Sequence, residues 1–195
     1  MIDAAMRAIS QELDQFVRLQ TAGEPGLVLL SPPFDITGLS LPDTAEKLLV
    51  FLVQVERQVI PTRAVRQVDT GLQQIGLAQP PVHLDLCVMV AANFTGTAYA
   101  EALRLIGLAV AFFQSRPVLN RFNTPALPAS IDQLSLEIEN LDVTRLSQIW
   151  GINGGHYLPS VLYRVRMVTI DQQRIEQQLP RVEQPVVDPR LIGAA

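Results

Sequence analysis

The chain has 195 residues, a net charge of −4, and a composition that is 48% hydrophobic and only 17% charged. This length suits one domain, with or without a tail. The acidic balance argues against nucleic-acid binding, which needs a basic stripe or patch. The high apolar content predicts a substantial core with apolar surface left for partners. Cys87 is the only cysteine, which excludes an intramolecular disulfide and a metal site built from several thiolates.

The N-terminal segment predicts an amphipathic helix over residues 2–20. Its apolar residues recur at spacings of four and three, which places them on one stripe of a helix. Charged residues interrupt the segment throughout, so we expect no signal peptide. The longest near-apolar runs, residues 48–55 and 84–92, are too short to cross a bilayer. We therefore expect a cytoplasmic protein that does not insert into a membrane.

Two apolar runs predict the first strands. Residues 27–30 form a short strand, which the following Ser-Pro-Pro ends. Residues 47–59 begin almost wholly apolar and then alternate with polar residues, which predicts burial on both faces at the start and on one face later. Residues 61–80 show no apolar period, so we expect a long loop there. Loops of this length often carry function.

The most apolar stretch, residues 80–114, predicts a central strand followed by a helix. The strand covers residues 82–92 and is apolar on both faces, so both faces should be buried. Thr97, or alternatively Thr95, is the expected N-cap of the helix that follows. That helix runs to about Gln114 and is apolar on most of its circumference, so it needs cover from the rest of the protein.

Three further elements follow. Residues 133–139 alternate between apolar and polar side chains, which predicts a strand with one buried face. Asp142 or Thr144 is suited to cap a short helix that ends near Trp150. Residues 159–170 predict a last long strand. The order of elements implies an α+β fold: a mixed, largely antiparallel sheet with two long helices packed on it.

We expect residues 1–171 to form this domain. Residues 172–195 are polar and hold three prolines, which predicts an extended C-terminal arm. Val186 and Val187 form its apolar centre, which could add a strand to a neighbour's sheet. Disorder of the arm is the alternative.

Residues with catalytic potential are few. His83 and Asp85 share one face of the central strand, and we interpret them as a polar pair at the margin of the sheet. Side chains two residues apart on one strand face stand about 7 Å apart, so Cys87 is too far from His83 to form a nucleophilic pair. We therefore expect no catalytic residue, no metal site and no cofactor.

Several residues are candidates for contacts between proteins. Arg164 and Arg166 share one strand face and could bind a carboxylate-rich partner, or pair with Glu137 and Glu139 on a neighbouring strand. Trp150 is either a core residue or an interface hot spot. The predicted interface residues are Arg63, Arg66, Trp150, Arg164, Arg166, Val186 and Val187.

An ordered set of motifs resembles a known family. Pro80-Pro81 precedes the apolar strand, and the helix holds Tyr-Ala-Glu-Ala-Leu at 99–103 and Phe-Phe-Gln at 112–114. Residues 146–150 form a helix end, which departs from the family's Leu-Trp step, and residues 157–166 form a Tyr-Leu-Pro-Ser-Val strand. This set is similar to the N-terminal domain of cap proteins of contractile injection systems. These are phage-tail-like particles of the Photorhabdus virulence cassette and antifeeding-prophage kind.

The resemblance implies a structural protein and a fold like the tail terminators of contractile phages. It implies a ring, expected to be a hexamer, that ends the inner tube and joins the last sheath ring. The implied partners are further copies of the chain, the inner tube protein and the sheath protein. The particle would be assembled in the cytoplasm and then released or anchored.

Rings of identical subunits need head-to-tail contacts between two different patches, for which the loop at 61–80 and the arm are our candidates. Two alternatives to a cap remain open. One is another assembly component of a phage-tail-like particle. The other is a small ligand-binding or enzymatic α+β domain that uses His83 and Asp85.

Overall fold

A computed structural model describes residues 1–22, 25–35, 37–58, 66–69, 74–78, 83–169 and 175–180. For residues 66–69, 74–78, 168–169 and 175–180 the backbone alone is described. The chain divides into two units. The first consists of Met1–Ile60 and Val82–Ile170, and the second of Pro61–Pro81 and Asp171–Ala195.

The described part of the chain contains three α-helices and nine strands. In chain order they are α1 (Ile2–Thr21), β1 (Val28–Leu30), β2 (Lys47–Arg57), β3 (Arg66–Asp69), β4 (Gln74–Ala78), β5 (Leu84–Asn93), α2 (Tyr99–Ser115), β6 (Val118–Asn120), β7 (Ile131–Ile138), α3 (Val143–Ile152), β8 (Ser160–Thr169) and β9 (Ile175–Pro180). In the first unit, each helix and strand predicted from the sequence is present, with ends that differ by at most a few residues.

The first unit is built on a six-stranded sheet with the order β1-β2-β5-β8-β7-β6. β1 runs parallel to β2, and every other neighbouring pair is antiparallel. β5 pairs with β2 along one edge and with β8 along the other, so the strand predicted as central has a partner on both sides. The predicted α+β class with a mixed, largely antiparallel sheet is confirmed.

Both long helices pack on one face of this sheet. Phe16 of α1 meets Phe112 of α2 with ring centroids 5.2 Å apart. The next residue, Phe113, contacts Tyr163 of β8 at 4.5 Å between centroids. The strand residues buried beneath the helices include Leu48, Val50, Leu86, Val88, Val90 and Val165. Burial of this apolar surface is the main force that holds the helices on the sheet.

Residues 61–80 do not form the predicted long loop. β3 and β4 lie within this stretch and pair antiparallel. β4 also pairs with β9, which lies in the segment predicted as an arm, so the second unit holds a three-stranded sheet. The sequence pattern hides these strands because Gly76 interrupts the apolar alternation and the partner strand β9 is distant in sequence. Whether residues 172–195 act as an arm stays a prediction.

The start of α2 also differs from the prediction. Thr97 lies inside a single 3₁₀ turn, Gly96–Ala98, which leads into the helix, and Ala98 occupies the N-cap position without a side-chain hydrogen bond. A capping residue needs extended backbone, which Thr97 lacks within the turn. Thr95 has extended backbone but precedes the 3₁₀ turn and makes no capping hydrogen bond. The predicted cap Asp142 is confirmed, because its carboxylate accepts from Arg145 N at 2.7 Å.

Gly96–Ser115 is the one helical segment among the described residues that is long and apolar enough to cross a membrane. Its inner side packs into the core through Ala102, Leu105 and Ala109. Core helices of soluble proteins pass the same test of length and composition. The absence of membrane insertion stays a prediction.

Replacement of Phe112 by Ala tests the packing of α2 on the sheet. Phe112 is fully buried, so F112A should lower the free energy of unfolding by about 3–5 kcal/mol, through lost apolar burial and the cavity left behind. The control is L103A on the same helix, because Leu103 is half exposed, and its effect should be below about 1 kcal/mol. Urea unfolding followed by circular dichroism measures both. Equal effects of the two variants would contradict this packing.

Candidate assembly surface

The second face of the six-stranded sheet is divided into an apolar part and a charged part. α3 covers the apolar part, whose buried residues are Leu49, Phe51, Cys87, Met89, Ala91, Trp150, Leu158 and Leu162. Beyond α3, the same face carries charged side chains. The strand register places Glu56 opposite Asp85, and Asp85 opposite Arg166. Because residues directly opposite each other on neighbouring strands point to the same face, these charges form one cluster.

Arg164 of β8 is the centre of this charged cluster. Its Nη1 donates to Glu56 Oε2 at 2.7 Å, and its Nε donates to Glu139 Oε2 at 3.0 Å. Asp85 Oδ2 lies 3.5 Å from the same Nη1. Three carboxylates therefore surround one guanidinium, which leaves an excess of two negative charges. The side chain of Arg164 is 24% exposed and that of Asp85 is 10% exposed, so solvent screens this group only in part.

Hydrogen bonds in the cluster favour the charged states of Glu139 and Arg164. The hydrogen bond from Arg164 holds the pKa of Glu139 below its ordinary value of 4.5, and the bonds to Glu139 and Glu56 raise the pKa of Arg164. Asp85 Oδ1 is buried and has no hydrogen-bond partner within the described residues. A carboxylate buried in this way depends on the neighbouring guanidinium to compensate its charge.

Arg166 of β8 is paired as well. Its Nη2 donates to Glu137 Oε2 at 3.1 Å, and both side chains are about half exposed. Of the two alternatives predicted for Arg164 and Arg166, the structure thus shows pairing with glutamates. Arg166 pairs with Glu137 on β7, and Arg164 pairs with Glu139, which directly follows β7. Binding of a carboxylate-rich partner by these arginines stays a prediction.

Trp150 of α3 has the core role that was one of its two predicted roles. It is 3% exposed and packs edge-on against Phe51, with centroids 6.4 Å apart, and against Tyr157, with centroids 6.0 Å apart. It therefore anchors α3 to the second face of the sheet. An additional role for Trp150 at an interface stays a prediction.

A cleft of about 480 Å³ opens where α3 meets the charged cluster. We call it the α3 cleft. Apolar and charged side chains share its lining, among them Val53, Leu141, Ile149, Ile152, Glu56, Glu139 and Arg164. Cys87 also lines it, and burial raises the pKa of the Cys87 thiol, so the thiol is protonated and weakly nucleophilic at neutral pH. Arg145 lines the cleft as well, and its Nε lies 4.0 Å from the carboxylate of Asp142. The lining suits a group that has an apolar part and a polar or charged end.

Large apolar side chains remain exposed on the first unit, in agreement with the apolar composition. Phe122 is completely exposed, in the connection between β6 and β7. The others with at least two thirds of their surface exposed are Leu19, Leu39, Val143 and Ile152. Exposed apolar surface of this kind marks regions that are covered when partners bind.

The remaining predicted residues are only partly described. Arg66 is the first residue of β3, where the backbone alone is described. Arg63, Val186 and Val187 lie outside the described residues. Among the predicted interface residues, the three described side chains, Trp150, Arg164 and Arg166, therefore all belong to the second face of the sheet.

His83 and Asp85 contact different partners. His83 lies immediately before β5, where its carbonyl oxygen accepts from Gln58 N at 2.9 Å. Asp85 is held beside Arg164. Within the described residues, no group of three or more His, Cys, Asp and Glu side chains is placed to hold a metal ion.

A family model described as Pvc16 N-terminal domain matches residues 4–184, which is most of the chain. The chain belongs to this family. A search of curated proteins finds no significant match for this Pvc16-type chain.

Two solved structures resemble the Pvc16-type chain. The first is the sheath/tube terminator of PVC, an extracellular contractile injection system, in its extended state, with a TM-score of 0.60 and 13% identity. The second is the tube-terminating cap of the anti-feeding prophage, AFP, with a TM-score of 0.57 and 14% identity. Each match covers 95% of this chain, and 63% and 61% of the two solved chains. The chain thus spans about three fifths of their length, and at such low identity the likeness shows the fold.

Sequence reasoning did not select Glu56, Phe122 or Ile152 as surface features of the Pvc16-type fold. Glu56 gains its place only because β2, β5 and β8 are neighbours, although they are far apart in sequence. Phe122 is an aromatic residue among Asn, Arg and Thr in a stretch rich in turn residues. That combination is a usable signal, because an aromatic residue in a polar turn has little core to join.

Replacement of Arg164 by Met tests the charged cluster. R164M should destabilise the fold by about 3 kcal/mol at pH 7, because Asp85 would keep a buried charge without its partner. The control is R166M, since the exposed pair of Arg166 with Glu137 should contribute less than about 1 kcal/mol. Urea unfolding of both variants measures the difference. Equal destabilisation by the two variants would contradict the assigned role of Arg164.

The pH dependence gives a second test of the same cluster. The folded pKa of Glu139 lies below its unfolded value, so its contribution to stability is present above about pH 4.5 and is lost as the pH falls through the folded pKa. The stability difference between wild type and R164M should therefore shrink between pH 6 and pH 3. A constant difference would show that Arg164 acts through packing alone.

Proposed function

We propose that this chain is the structural cap, or tail terminator, of a phage-tail-like contractile injection system. The observation that carries the proposal is a family match over residues 4–184 together with a fold shared with a sheath/tube terminator and a tube-terminating cap. In this role, copies of the chain form a ring, expected to be a hexamer. The ring ends the inner tube and joins the last ring of the sheath.

The described surface supports a role in assembly. The sheet is covered on both faces by the chain's own helices, so the first unit can form a rigid block before it meets a partner. Exposed apolar side chains such as Phe122 and Ile152 remain available for contacts that become buried in a ring. Apolar contacts of this kind need no bound cofactor or substrate.

The proposed mechanism is steric. A ring placed on the last ring of the tube occupies the surface that the next ring of tube subunits would use, so growth stops. A second surface of the same ring would hold the sheath end, so that contraction proceeds against a closed top. We infer that the chain is not an enzyme, and that it is assembled in the cytoplasm into a particle that is later released or anchored.

Tube length measures this function directly. Co-expression of the inner tube protein and the sheath protein of the same particle with this chain should give tubes of narrower length distribution with a closed end, as seen by negative-stain electron microscopy. Without the chain, tubes should be longer and more variable. H83A should cap as well as wild type, because ring contacts do not need an imidazole. Unchanged tube lengths and open ends with folded chain present would overturn the proposal.

Truncation after Asp171 tests the contribution of the C-terminal segment. The shortened chain loses β9 but keeps every element of the six-stranded sheet. We expect a far-ultraviolet circular dichroism spectrum close to wild type, and a loss of ring formation or capping. Full capping by the truncated chain would show that residues 172–195 are not an assembly arm.

A further inference from the structure

The connection between β6 and β7 displays a side chain that the fold itself does not use. Phe122 is completely exposed, whereas an aromatic side chain normally contributes a large buried area. Arg121 precedes it, and its side chain is about half exposed. Aromatic residues and arginine are both enriched at protein interfaces.

This connection is held rigidly. Asn120 Oδ1 accepts from Phe122 N at 2.9 Å and from Asn123 N at 3.2 Å. The side chain of Asn123 makes two further hydrogen bonds. Its Oδ1 accepts from Asn120 N at 2.8 Å, and its Nδ2 donates to the carbonyl oxygen of Val118 at 2.8 Å. Thr124 is fully buried beneath them. We call residues 120–124 the Phe122 turn. A turn fixed in advance loses little conformational entropy when it binds.

The α3 cleft has the complementary properties. Its volume of about 480 Å³ lies within the range of about 300–1,000 Å³ typical of sites that enclose a small group. Ile149 and Ile152 provide apolar lining for a ring, and Ile152 is 87% exposed. Arg145 also lines the cleft, and its charge is balanced by Asp142 at 4.0 Å. Beside that pair, Glu56, Glu139 and Asp85 leave the charged cluster around Arg164 with two excess negative charges. A positive side chain beside the aromatic ring is therefore favoured.

We propose that the Phe122 turn of one copy binds in the α3 cleft of the next copy, as a head-to-tail contact. Phe122 contacts the apolar lining, and Arg121 approaches the carboxylates of Glu56 and Glu139. Arg121 Nη2 donates to the carbonyl oxygen of Ala129, and its ion pair with Asp132 is long, at 3.8 Å. Because a guanidinium has five donors, Arg121 keeps donors for a carboxylate of the next copy.

The two surfaces belong to different parts of one chain. The Phe122 turn follows the edge strand β6, and the α3 cleft lies over β2, β5 and β8. A contact between two different patches repeats from copy to copy, so it builds rings or filaments, whereas a self-complementary patch builds closed dimers. The inference deepens the proposed function, because it rests on the ring and names the contact that forms it.

Two surface variants and their mixture test the contact in the full-length chain. F122S removes the aromatic ring from the turn, and I152E adds a negative charge to the cleft. Both positions are exposed, so both variants should fold, which thermal unfolding checks. Size-exclusion chromatography with light scattering should show that each variant alone associates at least about tenfold more weakly than wild type. The controls L19S and V143E change exposed apolar residues outside the turn and the cleft lining, Leu19 at 70% and Val143 at 83% exposure, and should associate like wild type.

The mixture gives the decisive readout. F122S keeps an intact cleft and I152E keeps an intact turn, so a 1:1 mixture should form heterodimers and stop there, because the two outer surfaces of each heterodimer are defective. The proposal would be overturned if either variant alone associated as strongly as wild type. It would also be overturned if the mixture stayed monomeric, or if the wild-type chain did not self-associate. Intact rings of F122S that no longer bind tubes would assign the turn to the tube protein and overturn it too.

The tube-length assay separates this contact from the proposed function. If wild type caps tubes and F122S still forms capping rings, the cap function stands and this contact is wrong. If wild type associates through the turn and the cleft but leaves tube lengths unchanged, the contact stands and the cap function is wrong.

Discussion

Burial of β5 on both faces is the constraint on which the rest of the first unit depends. Residues 85–93 of this strand are all buried, so the sheet must be covered on both sides. On one side α1 and α2 supply the cover, and the rings of Phe16, Phe112 and Phe113 contact one another there in tilted and edge-on geometry. On the other side the single short helix α3 must suffice. Neither face of the sheet could be left open without exposing a continuous apolar surface to water.

The unequal cover explains the surface of the molecule. α3 has only ten residues and protects the part of the sheet around Trp150. The strands extend beyond it, and there the outward side chains become charged. Arg164 is central to this change, since it lies beside three carboxylates at a place that is only partly exposed to solvent. The α3 cleft lies at this boundary because a helix packed on an apolar surface ends where the charged surface begins.

This arrangement supports the proposed role in assembly. The charged side chains of the second face pair mainly with one another. Cys87 lines the cleft, and burial raises the pKa of its thiol. The conspicuous exposed groups are apolar. Burial of those side chains against other proteins would remove apolar surface from water, which is favourable.

The sequence alone determined the local structure of the first unit, because its periodicities are strong. Three of these features depend only on residues that are close in sequence. They are the alternation in residues 133–139, the cap at Asp142, and the run before Asn93 that is apolar on both faces. Motif resemblance likewise identified the family. Elements that depend on distant partners could not be predicted from the sequence. β4 is stabilised by pairing with β3 and β9, and its own residues show no regular alternation of apolar and polar side chains.

The surface was decided by tertiary structure. Whether Arg164 would be paired or available depended on the strand order, because Glu56, Asp85 and Glu139 come from three separate segments. Trp150 could equally have been core or surface until the position of α3 on the sheet was known. Periodicity shows which side of an element is apolar. Only the packing of all elements together shows which apolar side chains, such as Phe122, find no cover within the chain.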